Sequence, residues 1–153
     1  MKLGEALINR ADAQKRLPQI RERLARSATV QQDEQPPEKP EALLQELEQT
    51  LDTLKTLIQQ INKTNSFTTL STGQTLADAL AERDAIALKR TILSEFLKAA
   101  ATIQPRFMRS EIKFYSTVDV EKMQKQVDDL AKQYRELDSQ IQAANWLTEL
   151  LED

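Results

Sequence analysis

The sequence predicts an all-α fold: an antiparallel bundle of long, coiled-coil-like helices with a small β hairpin between them. Three observations carry this. Only 2 of the 153 residues are glycine and 5 are proline, too few for an all-β chain that turns roughly every 8–12 residues. Leu, Ala and Gln lead the composition, with Glu and Lys behind them, and all five are good helix formers. Apolar residues also recur in alternating steps of three and four over long stretches, the spacing of one helix face.

The first helix spans about Leu3 to Ser27, with the seam Leu3, Ala6, Arg10, Ala13, Leu17, Ile20 and Leu24. Pro18 lies inside it and has no N–H to donate to the carbonyl of residue 14, so a kink or a fresh helix start is expected there. Residues 28–40 are polar and proline-rich, an exposed, mobile linker. Pro40 suits the first turn of the second helix, where a missing N–H costs nothing. The seam that follows is Leu44, Leu47, Leu51, Leu54, Ile58 and Ile61, widened by Leu43 and Leu57.

Residues 62–74 break that pattern. They are rich in Thr and Ser, with Gly73 as the turn residue, and a short strand is expected near Phe67 to Leu70. Thr75 then caps a third helix, with Asp78 three residues on. Its main stripe is Ala81, Ala85, Leu88, Ile92, Phe96, Ala99 and Ile103, and Ile86, Leu93, Leu97 and Ala100 form a second flank. Apolar residues on several sides mark it as the central helix. After Pro105, the alternation Glu111-Ile112-Lys113-Phe114 and the β-favouring residues beyond it read as the second strand of the hairpin. Asp119 caps a fourth helix with the unbroken seam Val120, Met123, Val127, Leu130, Tyr134, Leu137, Ile141 and Ala144. Trp146, the single tryptophan, is expected to dock on another part of the chain. The length suits one domain over residues 1–153.

With no cysteine and no histidine, the chain has no disulfides, Cys/His zinc sites, thiolate nucleophiles or His-based triads. The polar first ten residues do not read as a signal peptide, and no stretch reaches the roughly 20 apolar residues that cross a bilayer. The expectation is therefore a cytoplasmic protein that meets no membrane. A net charge of −3 and a pI near 5.2 do not suggest a nucleic-acid partner. The charge is uneven, however. Residues 1–27 carry seven Lys/Arg against three Asp/Glu, and residues 120–153 four against eight. A basic first helix and an acidic last one are expected to pair.

A helical enzyme with this composition would use carboxylates and a divalent metal. The candidate pairs are Glu38 with Glu41, Glu82 with Asp84, and Asp128 with Asp129. Glu38 and Glu41 straddle Pro40 at a helix start, where acids favour the dipole; Glu82 and Asp84 diverge by about 200° around an ideal helix; Asp128 and Asp129 flank a seam and read as solvated. No catalytic residue, metal ligand or cofactor is therefore assigned. Lys15, Arg16, Arg21, Arg23 and Arg26 form a possible basic patch, but it lacks the interleaved aromatics of a base-stacking surface. Arg10 interrupts an apolar seam, and either pairs with an acid to fix helix register or snorkels to the edge. Tyr134 is expected in the core with its hydroxyl at the surface or on a partner. Phe107, Phe114 and Tyr115 read as packing at a helix–strand junction.

Several stretches resemble the septicolysin-like family of bacterial helical proteins. They include Glu5-Ala6-Leu7, Ile61-Asn62-Lys63-Thr64-Asn65, the run from Leu76 to Asp84, Arg109-Ser110-Glu111-Ile112-Lys113, Thr117-Val118-Asp119-Val120 and Asn145-Trp146. The resemblance implies a mainly helical homohexamer without an assigned activity. The surplus of apolar faces independently points to self-association, with Leu93 and Leu97 as interface candidates beside Arg10, Tyr134 and Trp146. The expected function is self-assembly, as a scaffold or partner-binding protein. The alternatives are a prefoldin-like holdase and a metal-dependent all-α nucleotide hydrolase.

Overall fold

The computed structural model describes residues 1–102 and 113–153. Among these the chain is all-helical, with four helices: α1 (Leu3–Arg26), α2 (Pro40–Phe67), α3 (Leu76–Ala101) and α4 (Val120–Leu147). They fall into two compact units. One comprises Met1–Thr69 with Ala143–Asp153, the other Leu70–Gln142. None of the four helices is long and apolar enough to cross a membrane.

In the first unit, α1 and α2 pack as an antiparallel pair. Arg23, near the end of α1, reaches Glu38 and Glu46 at the start of α2. The backbone N–H of Lys2 donates to Glu5 Oε2 at 2.7 Å, satisfying one donor at the start of α1. The helix does not restart at Pro18 but runs through it. Pro18 is exposed, while Ala13 and Ile20 on either side are buried on the seam. Packing of that seam outweighs the one backbone bond the proline removes.

The buried face of α2 is not the all-apolar seam. It is Leu43, Leu47, Thr50, Leu54, Leu57, Ile61 and Thr64, again in steps of four and three. Two threonines fit there because each hydroxyl donates back to a carbonyl one turn earlier: Thr50 to Glu46 O at 2.8 Å and Thr64 to Gln60 O at 2.7 Å. Thr64 Oγ1 also accepts from the backbone N–H of Leu151 at 2.9 Å. The chain's two ends meet on this unit. Leu3 N donates to Thr148 O and Leu150 N to Met1 O, each at 2.9 Å, and Lys2 pairs with Glu149 as an isolated antiparallel bridge.

The expected β hairpin is not seen among the described residues. Of its first strand only Phe67 is helical, as the last residue of α2; Thr68 is extended, and a tight turn follows before any strand can form. Thr64 and Ser66 stay helical because their hydroxyls donate to the carbonyls of Gln60 and Asn62, a local bond that offsets their preference for extended backbone. The second strand was placed near Ile112, which lies outside the described residues, as do Ile103 and Phe107. Phe114 and Tyr115 are exposed and belong to no strand.

The second unit opens with the turn from Leu70 to Gln74. Leu70 N donates to Gln74 O at 2.8 Å, and Gly73 N to Leu70 O at 2.9 Å. Gly73 has φ of +85°, a left-handed conformation that glycine adopts without cost. Thr75 caps α3, its hydroxyl oxygen accepting from Asp78 N at 3.1 Å. Asp119 does the same for α4 through Lys122 N. Within the unit, Arg83 on α3 donates to Asp138 Oδ1 on α4 at 2.9 Å. Tyr134 lies near Ala87 and Thr91, so α3 and this part of α4 run antiparallel.

Candidate interaction surface

The most unusual property of the surface is apolar. On α3 the predicted main stripe faces outward: Leu88 is 66% exposed, Ile92 63% and Phe96 43%. Ala81, Ala85 and Ala99 on the same row are also exposed. The buried side of the helix is the other flank, from Leu76 and Ala79 through half-buried Ile86 and Leu93 to Leu97. On α2, adoption of the threonine-bearing seam leaves Leu44, Leu51 and Ile58 exposed in a row with seven-residue steps. Single exposed leucines are ordinary on soluble proteins, whereas ordered rows mark interaction faces.

Two clefts open on polar residues. One, of about 400 Å³ between α1 and α2, is lined by Asn9, Asp12, Arg16, Glu46, Gln49 and Thr53 among others. The other, of about 510 Å³ between α3 and α4, is lined by Ala87, Arg90, Thr91, Ser94, Glu95 and half-buried Tyr134. Among the described residues, no three acidic side chains come together as a metal site. Glu38 is held by Arg23, and Glu82 accepts from Gln74 Nε2 at 2.7 Å.

The predicted basic patch is not a uniform cationic surface. Arg23 forms a two-pronged bond to Glu38, at 2.9 and 2.6 Å, and a third bond to Glu46 at 3.0 Å. These bonds raise the guanidinium's pKa further, and the Arg23 bond in turn holds the Glu38 carboxyl below its ordinary value. Arg26 pairs with Glu22 at 3.7 Å. Arg16 lines the α1–α2 cleft, while Lys15 and Arg21 are exposed on α1. In the second unit, burial works against the charge of Arg83, but its bonds to Asp138 and Asp84 outweigh it and raise its pKa.

The other candidate residues have defined places. Arg10 is half-buried in the α1 seam, and its Nε is buried without a hydrogen-bond partner among the described residues. Leu97 is buried and Leu93 half-buried, so on α3 the row open to a partner is Leu88, Ile92 and Phe96. Trp146 docks on Gly4: a Cβ added there would sit 2.8 Å from Cδ2 and Cε3 of the indole. No local pattern signals this contact, because the two residues stand at opposite ends of the chain.

With this geometry established, comparison with known proteins gives the family. A model described as "Family of unknown function (DUF6847)" matches residues 10–150. The chain belongs to DUF6847. It is also similar to a protein of known structure from Corynebacterium diphtheriae, described as a functionally unknown conserved protein. The two share 44% identity and a TM-score of 0.92, with 99% of each chain covered. No curated protein matches the sequence.

The septicolysin-like resemblance is thereby corrected: neither the family match nor the structural neighbour points to it. Its motifs are short, and those such as Glu5-Ala6-Leu7 and the run from Leu76 to Asp84 are built mostly of Leu, Ala and charged residues, a composition many helices share. Of the stretch from Arg109 to Val120, residues 109–112 lie outside the described residues. The number six rested on that resemblance alone and falls with it.

Proposed function

We propose that this DUF6847 member is a self-assembling helical protein, a scaffold or partner-binding module that acts through apolar helix faces and not through a catalytic centre. One observation carries the reading: α2 and α3 each keep an ordered apolar row on the outside, Leu44, Leu51 and Ile58 on one and Leu88, Ile92 and Phe96 on the other. Burying one such side chain is worth roughly 1.5–3 kcal/mol, so leaving two rows in water forgoes stability that association would recover. Coiled-coil-like packing in an antiparallel bundle belongs to the same proposal, supported by the three-four spacing of buried residues in α1, α2 and α4. A cytoplasmic location is also part of it. Light scattering coupled to size exclusion over a range of concentrations tests the assembly. A mass that is a multiple of 17.5 kDa supports it, and a single-chain mass at the highest concentration refutes it.

A further inference from the structure

The α1–α2 cleft holds two opposite charges apart. Asp12 and Arg16 stand four residues apart on α1 with the acid nearer the N-terminus, the order that favours an ion pair. Glu22 and Arg26 on the same helix have that order and approach to 3.7 Å. Asp12 and Arg16, which both line the cleft, make no ion pair with each other or with any other of the described residues. Glu46 on the opposite wall does not engage Arg16, because its Oε1 accepts from Arg23 at 3.0 Å.

The space between the walls has its cause in the seam. At this level the buried residues are small, Ala13 on α1 and Thr50 on α2. Seven residues away in either direction α2 buries Leu43 and Leu57 instead. Thr50 directs its hydroxyl to Glu46 O at 2.8 Å, so the floor makes no hydrogen-bonding demand of its own. The walls rise as two rows in steps of three and four, Asn9, Asp12 and Arg16 on one side and Glu46, Gln49 and Thr53 on the other. The resulting cleft of about 400 Å³ is many times the space one water needs.

We infer that this cleft binds a small zwitterion, a free amino acid with a short or polar side chain. Its carboxylate takes the Arg16 guanidinium in a charge-assisted bond, and its ammonium takes the Asp12 carboxylate. Residues at i and i+4 lie about 5–6 Å apart at their Cβ atoms. The two charges of an amino acid sit on one carbon, so one molecule reaches both side chains. Asn9, Gln49 and Thr53 supply donors and acceptors for its side chain. A simple anion on Arg16 would face the carboxylates of Asp12 and Glu46, and a simple cation on Asp12 would face Arg16. A ligand with both charges meets neither penalty.

Calorimetry of the intact protein with glycine, L-serine and L-asparagine tests this, with acetate and methylamine as single-charge controls. The expected result is one site per chain for at least one of the amino acids, and binding at least about tenfold weaker for both controls. Arg16→Gln and Asp12→Asn should each weaken the amino acid by about 10–100-fold. Both residues are exposed, so each variant should melt within about 2–4 °C of the parent. Arg26→Gln, outside the cleft, should bind as the parent does. In the parent, ligand at about a hundred times its dissociation constant should raise the melting temperature by roughly 5–10 °C. No heat and no rise in melting temperature with all three amino acids would overturn the inference. Acetate or methylamine binding as tightly as the amino acid would overturn it too, as would undiminished binding by the Arg16 and Asp12 variants. These outcomes are read per chain, so the self-assembly reading stands or falls separately.

Discussion

Replacing Gly4 by alanine sets two effects of opposite sign against each other. Gly4 is the second residue of α1, and exchanging glycine for alanine in a helix normally stabilises by up to about 1 kcal/mol. Here the new Cβ would lie 2.8 Å from two carbons of the Trp146 ring. Carbon atoms rest at about 3.5–4.0 Å, so the ring must retreat by roughly an ångström. Trp146 is 51% exposed and has room to swing outward. Doing so gives up the buried half of the ring, about 100 Å² or roughly 2.5 kcal/mol. After the helix gain, the expected net loss is about 1–2 kcal/mol, a fall in melting temperature of roughly 2–8 °C. Trp146 is the single tryptophan, so its fluorescence reports the movement directly, and emission should shift to the red. In a Trp146→Ala background the same Gly4→Ala change should become neutral or stabilising, and the cycle isolates the contact. A Gly4→Ala protein that melts at or above the parent temperature with unchanged emission would refute the reasoning.

Thr64→Val leaves the Leu151 N–H without its acceptor and should cost about 1–3 kcal/mol, whereas Thr64→Ser should keep most of the stability; chemical denaturation together with hydrogen exchange at Leu151 distinguishes them. Ile61 is fully buried, so Ile61→Ala should lose about 2–5 kcal/mol. Ile8→Ala, on the exposed side of α1, should stay within about 0.5 kcal/mol by the same denaturation assay. Acid should weaken the Arg23 cluster. The Glu38 carboxyl is held below its ordinary 4.5 by the bond from Arg23, so its contribution is full above the unfolded value and is lost as pH falls through the folded one. Glu38→Gln should flatten the acid limb of the melting profile relative to the parent, and identical limbs would count against the assignment.

The faces of α1 and α4 were legible in the sequence. Their seams, from Leu3 to Leu24 and from Val120 to Ala144, are the buried or half-buried sides of the two helices. The caps Thr75 and Asp119 and the turn at Gly73 were legible for a local reason: the bonds they make lie within a few residues of chain. The face of α2 was not. The all-apolar row and the row with two threonines share Leu47, Leu54 and Ile61, and their centres lie about 50° apart on the helix; packing against α1 selects the second. Thr50 and Thr64 are admitted because they satisfy their hydroxyls within the helix before they are buried. Similar local bonds at Thr64 and Ser66 carry α2 on to Phe67, the first residue of the segment where composition suggested a strand. On α3, which of two apolar flanks turns inward is equally a tertiary choice, and it decides that Leu97 is core while Leu88, Ile92 and Phe96 are surface. The docking of Trp146 on Gly4 joins residues from opposite ends of the chain. Periodicity reports which residues share a helix face. The choice of face to bury depends on the surface brought against it, and that surface comes from residues distant in sequence.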